Sequence, residues 1–180
     1  MNFWKVCFKI TGWHANITVP YRDKVVICVA PHTSNWDFII GLLAYRSIGR
    51  KANFLMKEFW FFFPLKYLLK NLGGIPVRRS SNNSMTTMIS EDFKTRKYLN
   101  LAITPEGTRK AVDTWKTGFL RIAYNACVKV QLGIIDYRKK EVIINKEYEP
   151  SGNIENDLHE IRKYYAIFQS SAKYPDKFIP

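Results

Sequence analysis

A histidine and an aspartate lie five positions apart in the segment from His32 to Asp37, HTSNWD. The apolar run Val25 to Ala30 before it predicts a buried strand, and a helical pattern extends from about Asn35 to Ser47, with Ser34 as its expected cap. An aspartate in the first helical turn can approach a histidine in the preceding loop, so its carboxylate holds one ring nitrogen while the other faces a substrate. The pair therefore predicts an oriented general base. The alternative is a loop histidine beside a helix-capping aspartate.

A second polar segment, from Pro105 to Arg109 (PEGTR), directly follows an apolar strand pattern. A strand end that opens into a polar loop with glycine is a common place for a binding site in α/β proteins. Glu106 and Arg109 have the chemistry to bind hydroxyl and phosphate groups, and Gly107 permits close approach to the backbone. The segment, Thr108 included, therefore predicts substrate binding. The alternative is a surface turn with an ion pair.

The third segment, from Gly73 to Arg79 (GGIPVRR), combines a glycine turn, a short strand pattern and two arginines, Arg78 and Arg79. Arginine matches a phosphate in bidentate geometry and keeps its charge at any relevant pH. The two side chains are therefore candidate substrate-binding residues, and the alternative is solvated surface charge.

The charge of the chain points to an anionic partner. The 180 residues carry a formal net charge of +13, and eight basic residues against one acidic residue lie between Arg46 and Arg79. Nucleic acid, a phospholipid surface and a phosphorylated substrate all fit this charge. The length suits one compact core, so one domain is expected over residues 1–180.

Strand patterns alternate with helical patterns, which predicts an α/β fold: a single domain with a mainly parallel β-sheet flanked by helices. Further strands are expected at Asn53 to Met56, Ile75 to Val77, Leu99 to Thr104, Val128 to Ile135 and Glu141 to Tyr148. Further helices are expected near 58–71, 85–97, 117–126 and 154–171. We expect His32 and Asp37 at a strand-to-helix turn, in the same groove as Arg79, Glu106 and Arg109.

Two segments are rich in aromatic residues and lysine. The stretch from Phe54 to Leu69 is strongly apolar but contains Lys57, Glu58 and Lys66 and is interrupted by Pro64, so it is poorly suited to span a bilayer. Aromatic rings flanked by lysines are typical of a segment that lies in the membrane interface, and the alternative is a buried core helix. Residues 1–20 are a second possible interface segment. The candidate membrane contacts are Trp4, Phe8, Phe59, Trp60, Phe61, Phe62 and Phe63.

The three polar segments, in this order and at these separations, resemble the glycerolipid acyltransferase family, which includes the lysophosphatidic acid acyltransferases. The resemblance covers about residues 25 to 136. It implies that His32 deprotonates an acceptor hydroxyl, that Asp37 orients the imidazole, and that the alkoxide attacks a thioester directly. The chain has no Gly-x-Ser-x-Gly elbow for a serine nucleophile, which agrees with direct transfer.

The resemblance also implies the substrates. The donor is expected to be acyl-coenzyme A or acyl carrier protein, with no bound cofactor and no metal, and the acceptor a lysophospholipid such as 1-acyl-glycerol-3-phosphate, in phospholipid synthesis. It implies that Glu106, Gly107 and Arg109 help to bind the acceptor and that Arg79 contacts its phosphate. Arg78 replaces an acidic or small polar residue of the family, and the run Val128 to Ile135 lacks a common proline. A lyso-aminolipid, such as lyso-ornithine or lyso-glycine lipid, therefore stays open as an alternative acceptor.

Two other classes of protein share some of these features. A nucleic-acid-binding module would account for the charge and the aromatic rings, but it needs neither the His-Asp pair nor the loop at 105–109, so no nucleic-acid partner is expected. A metal hydrolase would use His32 and Asp37 as ligands, but the chain has no His-x-x-x-His spacing. The N-terminus lacks the pattern of a secretory signal. We therefore expect a cytoplasmic protein, peripheral on the inner face of an anionic membrane.

Overall fold

The computed structural model of the chain describes residues 3–77 and 82–180. Its helices are α1 (Phe3–Ile10), α2 (Asn35–Ser47), α3 (Leu65–Leu72), α4 (Asn82–Thr95), α5 (Gly118–Asn125) and α6 (Ile154–Ala166). Its strands are β1 (His14–Ile17), β2 (Lys24–Val29), β3 (Asn53–Lys57), β4 (Gly74–Val77), β5 (Leu99–Ile103), β6 (Val130–Asp136) and β7 (Glu141–Tyr148). The predicted phosphate-contact residues Arg78 and Arg79 lie outside the described residues.

The strands form one sheet in the order β1-β7-β6-β2-β5-β3-β4. Neighbouring strands are parallel except β6 and β7, which are antiparallel and joined by a short turn. The predicted α/β fold with a mainly parallel sheet is therefore confirmed. The carboxyl ends of β2, β5, β3 and β4 lie at one edge of the sheet because these strands are adjacent and parallel.

The sheet is covered by helices on both faces, which is why its central strands are apolar along their whole length. Successive side chains of β2 point to opposite faces. Val26 and Cys28 join a cluster with residues of α4, α5 and α6, and Val25 and Ile27 join a cluster with Tyr45 of α2. Helix α1 packs against α2 on this second face, so α2 lies directly over the strands that end near the polar segments.

The aromatic stretch is not the continuous helix predicted near 58–71. A short 3-10 turn at Glu58–Trp60 is separated from α3 by residues 61–64, and Pro64 stands at the N-terminal boundary of α3. Proline lacks the N–H that a helix interior requires but is tolerated at a helix start. The predicted helix near 154–171 ends earlier, at Ala166. Strand β1 was not predicted, since four residues at a sheet edge give little periodic signal.

The structure corrects one of the candidate membrane contacts. Phe8 is only 3% exposed and packs in a cluster with Ile40, Ala44, Ile135 and Val142. It therefore fixes α1 to the body of the protein and is not available to a membrane. A pattern of alternating aromatics and lysines does not show which ring faces the sheet.

The other candidates are more accessible. Trp4 is half-buried beneath the guanidinium of Arg46, which lies 4.9 Å from the centre of its ring. Phe61 is half-buried against Gly74, where an added Cβ would lie 3.1 Å from the Phe61 ring. The remaining four side chains are exposed: Phe59, Trp60, Phe62 and Phe63.

Candidate active site

The loop before α2 brings the predicted pair together. His32 Nδ1 lies 3.1 Å from Asp37 Oδ2, and the His32 and Asp37 side chains are 16% and 2% exposed. The carboxylate also accepts bonds from the backbone N–H groups of Thr33 and Ser34, each at 2.8 Å. Asp37 therefore contacts the histidine and also belongs to the cap of the helix, and the role of the pair as a general base stays a prediction.

Helix α2 begins here because Ser34 has extended backbone angles and its side chain accepts a hydrogen bond from the N–H of Trp36 at 3.2 Å. The Asp37 side chain in turn accepts a hydrogen bond from the backbone N–H of Ser34, so the two residues form a capping box. A cap of this kind fixes the entry of the chain into the helix. It therefore also fixes the distance between the aspartate and the histidine two residues before the cap.

The charge state of Asp37 sets the orientation of the imidazole. Burial alone would raise its pKa, but hydrogen bonds from His32, Tyr137 and the backbone of Ser34 outweigh it and lower the pKa below the usual value. An ionised carboxylate can only accept, so Nδ1 of His32 carries the proton. The other ring nitrogen is then free to accept a proton from a substrate.

Glu106 connects the second polar segment to the first. It is 3% exposed, and its Oε1 accepts a hydrogen bond from the backbone N–H of His32 at 2.7 Å. Burial raises the pKa of Glu106 to about 8, opposed by the bond from His32 and supported by the negative charge of Asp37. Its observed contact holds the histidine loop, and contact with an acceptor stays a prediction.

The rest of the second segment forms a tight turn at the surface. Gly107 has a φ of 65°, a left-handed backbone conformation that favours glycine, whereas an added Cβ would meet only the flexible end of the Lys116 side chain, 2.9 Å from its Cε. Thr108 accepts a bond from the N–H of Lys110 at 3.3 Å. The guanidinium of Arg109, which is exposed, donates to the side chain of Asn35 at the start of α2. Arg109 is thus held beside the histidine loop.

A cavity of about 360 Å³ lies between α2 and the sheet. His32, Asp37 and Thr104 line it, together with apolar side chains of α2, β2, β3, β6 and β7. Gly41 is the helical residue that faces the cavity without a side chain. The volume is within the range of small-ligand sites, and the apolar lining suits a hydrocarbon chain.

Three of the predicted features therefore share one edge of the sheet. His32 follows β2, the 105–109 loop follows β5, and the aromatic segment follows β3. Ligands of open α/β sheets bind at the carboxyl ends of the strands, which is where the structure places the His-Asp pair. Sequence reasoning missed Tyr137, whose hydroxyl donates to Asp37 Oδ1 at 2.6 Å. A residue 100 positions away along the chain leaves no local signal.

Comparison with known proteins defines the class. A family model described as "Acyltransferase" matches residues 14–137, which include the His-Asp pair, the third polar segment and the 105–109 loop. The chain belongs to this acyltransferase family. The protein is therefore an enzyme that transfers an acyl group, as the resemblance in the sequence implied.

Among solved structures, the chain is similar in fold to the 1-acyl-sn-glycerophosphate (LPA) acyltransferase PlsC from Thermotoga maritima. The TM-score is 0.60 at 16% sequence identity, over 96% of this chain and 79% of that chain. No curated protein matches the chain significantly. Within residues 3–77 and 82–180, no helix has the length and apolar character needed to cross a membrane.

Proposed function

We propose that this enzyme transfers a fatty acyl group from acyl-coenzyme A or acyl carrier protein to the hydroxyl of a lysophospholipid, with 1-acyl-glycerol-3-phosphate as the acceptor. The observation that carries the proposal is the His32–Asp37 pair on the wall of an apolar cavity of about 360 Å³. The pair supplies a base, and the cavity supplies a place for an acyl chain beside that base. Such a product would serve phospholipid synthesis.

The reaction needs one proton shuttle. The free ring nitrogen of His32 takes the proton of the acceptor hydroxyl as its oxygen attacks the thioester carbonyl, and the tetrahedral intermediate then expels the thiolate. The imidazolium returns the proton to the thiolate, so an ester and a free thiol are formed. Asp37, ionised and buried, stabilises the imidazolium between these steps. A positioned base contributes about 100- to 10,000-fold to the rate.

The cavity between α2 and the sheet is the proposed site of the acyl chain of the donor. Its lining includes Phe38 and Leu42 of α2 and Phe54 of β3. Each methylene group removed from water there contributes about 0.8 kcal/mol to binding. A long-chain donor should therefore bind more tightly than a short-chain one until the cavity is full.

The acceptor phosphate is proposed to bind to arginine at the same edge of the sheet. Arg109 is exposed and lies beside the histidine loop through its bond to Asn35. We also propose that Arg79 and Arg78 contact the phosphate, because their segment resembles that of the glycerolipid acyltransferases. Gly107 and Thr108 would present backbone and hydroxyl groups to the acceptor.

Membrane attachment is proposed to use the aromatic segment 59–63. Phe59 and Phe63 are 79% and 75% exposed, and a group of exposed aromatic side chains close together in the chain is a feature of membrane interaction sites. Lys57 and Lys70 are exposed nearby in the chain, and each cation near an anionic bilayer contributes about 1 kcal/mol. The segment follows β3 at the edge that carries the His-Asp pair, so attachment there would bring that pair to the lipid. The expected location is the inner face of the membrane.

One experiment tests the function. Purified protein is given a labelled long-chain acyl-coenzyme A or acyl carrier protein with lysophosphatidic acid, glycerol 3-phosphate or a lyso-aminolipid, and each lipid product is identified by mass. We expect phosphatidic acid from lysophosphatidic acid. Acylation of the lyso-aminolipid instead would change the acceptor, and absence of any acylated lipid with both donors would refute the proposal.

A further inference from the structure

The two oxygens of the Asp37 carboxylate have different partners. Oδ2 accepts from the His32 ring at 3.1 Å and from the N–H groups of Thr33 and Ser34 at 2.8 Å. Oδ1 accepts from the hydroxyl of Tyr137 at 2.6 Å. Tyr137 therefore binds the oxygen that the histidine does not use.

Tyr137 is held in place by elements outside the polar segments. It directly follows β6, and its N–H donates to the carbonyl of Ser171 at 2.9 Å. Its ring meets the ring of Trp13 edge to face, with 5.1 Å between the centroids, and the Lys173 ammonium lies 5.8 Å from its centre. The hydroxyl is thus aimed at Asp37 by packing that does not depend on the histidine loop.

The hydroxyl also stays a donor. Burial raises the pKa of Tyr137 above its usual value, and the hydrogen bond to ionised Asp37 raises it further. A protonated phenol beside a carboxylate makes a charge-assisted bond, which is stronger than a bond between neutral groups. Loss of the donor would leave a buried carboxylate oxygen without this partner, and only the bonds on Oδ2 would then oppose rotation of the group about its terminal bond.

Building on the function proposed above, we propose that Tyr137 is a positioning residue for the reaction. Its hydroxyl locks the Asp37 carboxylate in the rotamer whose other oxygen holds His32 Nδ1, so that the imidazole presents its free nitrogen to the acceptor hydroxyl. Tyr137 is not among the described residues that line the cavity. It acts through Asp37.

The test variant is Tyr137→Phe, which keeps the ring that packs on Trp13 and removes only the donor. The turnover number should fall about tenfold, as expected for loss of a hydrogen bond to a charged group. The KM values of donor and acceptor should stay unchanged because the substrate sites are intact.

The matched control is Tyr174→Phe. The Tyr174 ring faces the same lysine, at 5.7 Å, and Tyr174 is part of the same C-terminal segment as Ser171, but its hydroxyl does not bind Asp37. This variant should keep the wild-type turnover number and KM values. A loss of turnover equal to that of Tyr137→Phe would mean that general packing of the segment is responsible, which overturns the proposal.

A measurement on the resting proteins separates this inference from the proposed function. The proton between His32 Nδ1 and Asp37 should give a downfield resonance in proton NMR that exchanges faster with water in Tyr137→Phe than in the wild type. If the wild type acylates none of the acceptors but the exchange rates differ as expected, the function is wrong and the positioning role stands. Equal exchange rates, equal turnover in an active enzyme, or failure of Tyr137→Phe to fold would each overturn the positioning role.

Discussion

Glu106 makes folding stability depend on pH in a way that can be measured. Unfolded, its carboxyl titrates near 4.5, whereas burial raises the pKa to about 8 in the folded protein. Between these pH values the folded state keeps a proton that the unfolded state has lost, so unfolding releases a proton and rising pH favours it. This part of the stability is complete below about pH 4.5 and is lost as the pH rises through 8.

The magnitude follows from linkage. Each pH unit in this window removes about 1.4 kcal/mol from the free energy of unfolding. Over the whole window from 4.5 to about 8, the loss is on the order of 5 kcal/mol, which is a large fraction of the stability of a small domain. The perturbation is Glu106→Gln, which keeps an oxygen for the N–H of His32 and removes the titration.

The assay is urea unfolding of wild type and Glu106→Gln at several pH values from 5 to 8. Their difference in free energy of unfolding should change by about 1.4 kcal/mol per pH unit, with the wild type losing stability relative to the variant as the pH rises. Glu160→Gln, at an exposed position of α6, is the control and should follow the wild type at every pH. Parallel curves for wild type and Glu106→Gln would refute the reasoning, because Glu106 would then titrate alike in both states.

Three further predictions concern the reaction, the acyl chain and the membrane. His32→Ala should abolish transfer and Asp37→Asn should nearly abolish it, with the circular dichroism spectrum unchanged, because base and orienting partner act as a unit. Gly41→Leu should shift the donor preference to shorter acyl chains in a competition assay, since the new side chain would project into the cavity lined by Gly41. Replacement of both Phe59 and Phe63 by serine should reduce cosedimentation with anionic vesicles at low salt by about tenfold or more, because two exposed rings are lost.

Each of the three predictions can be contradicted by a specific result, and the membrane prediction also has a control variant. Full activity in His32→Ala would remove the proposed mechanism. An unchanged chain-length profile in Gly41→Leu would place the acyl chain outside the cavity. Ile167→Ser, at a residue 73% exposed just beyond the end of α6, should not change vesicle binding. Equal losses in that control and in the double serine variant would mean that general surface hydrophobicity, not the aromatic segment, holds the protein on vesicles.

The fold class was predictable because its signals are periodic and local. Apolar runs such as Val25 to Ala30 mark buried parallel strands, and they alternate with helical patterns at the spacing of an α/β fold. The prediction failed where the signal was short or interrupted. Strand β1 has four residues, and the stretch 58–71 has helical composition but contains Pro64, which confines the helix to residues after it.

The burial of individual rings was also not predictable. Phe8 and Phe3 both belong to α1 and both fit an interface segment, but Phe8 is 3% and Phe3 70% exposed. Which face of a short helix turns inward depends on the partner surface, here the cluster with Ile40 of α2. Composition gives the character of a segment and not its orientation.

The sequence by itself determined the His-Asp pair. Its five-residue separation spans a loop and one helical turn, and the cap at Ser34 that fixes this geometry is encoded in the same few residues. Only the tertiary structure decided what supports the pair: Glu106, 74 positions from His32, and Tyr137, 100 positions from Asp37. Such contacts arise from the pairing of β2 with β5 and β6. Side chains at the ends of adjacent strands meet because the sheet aligns them, and no local pattern in the chain records that alignment.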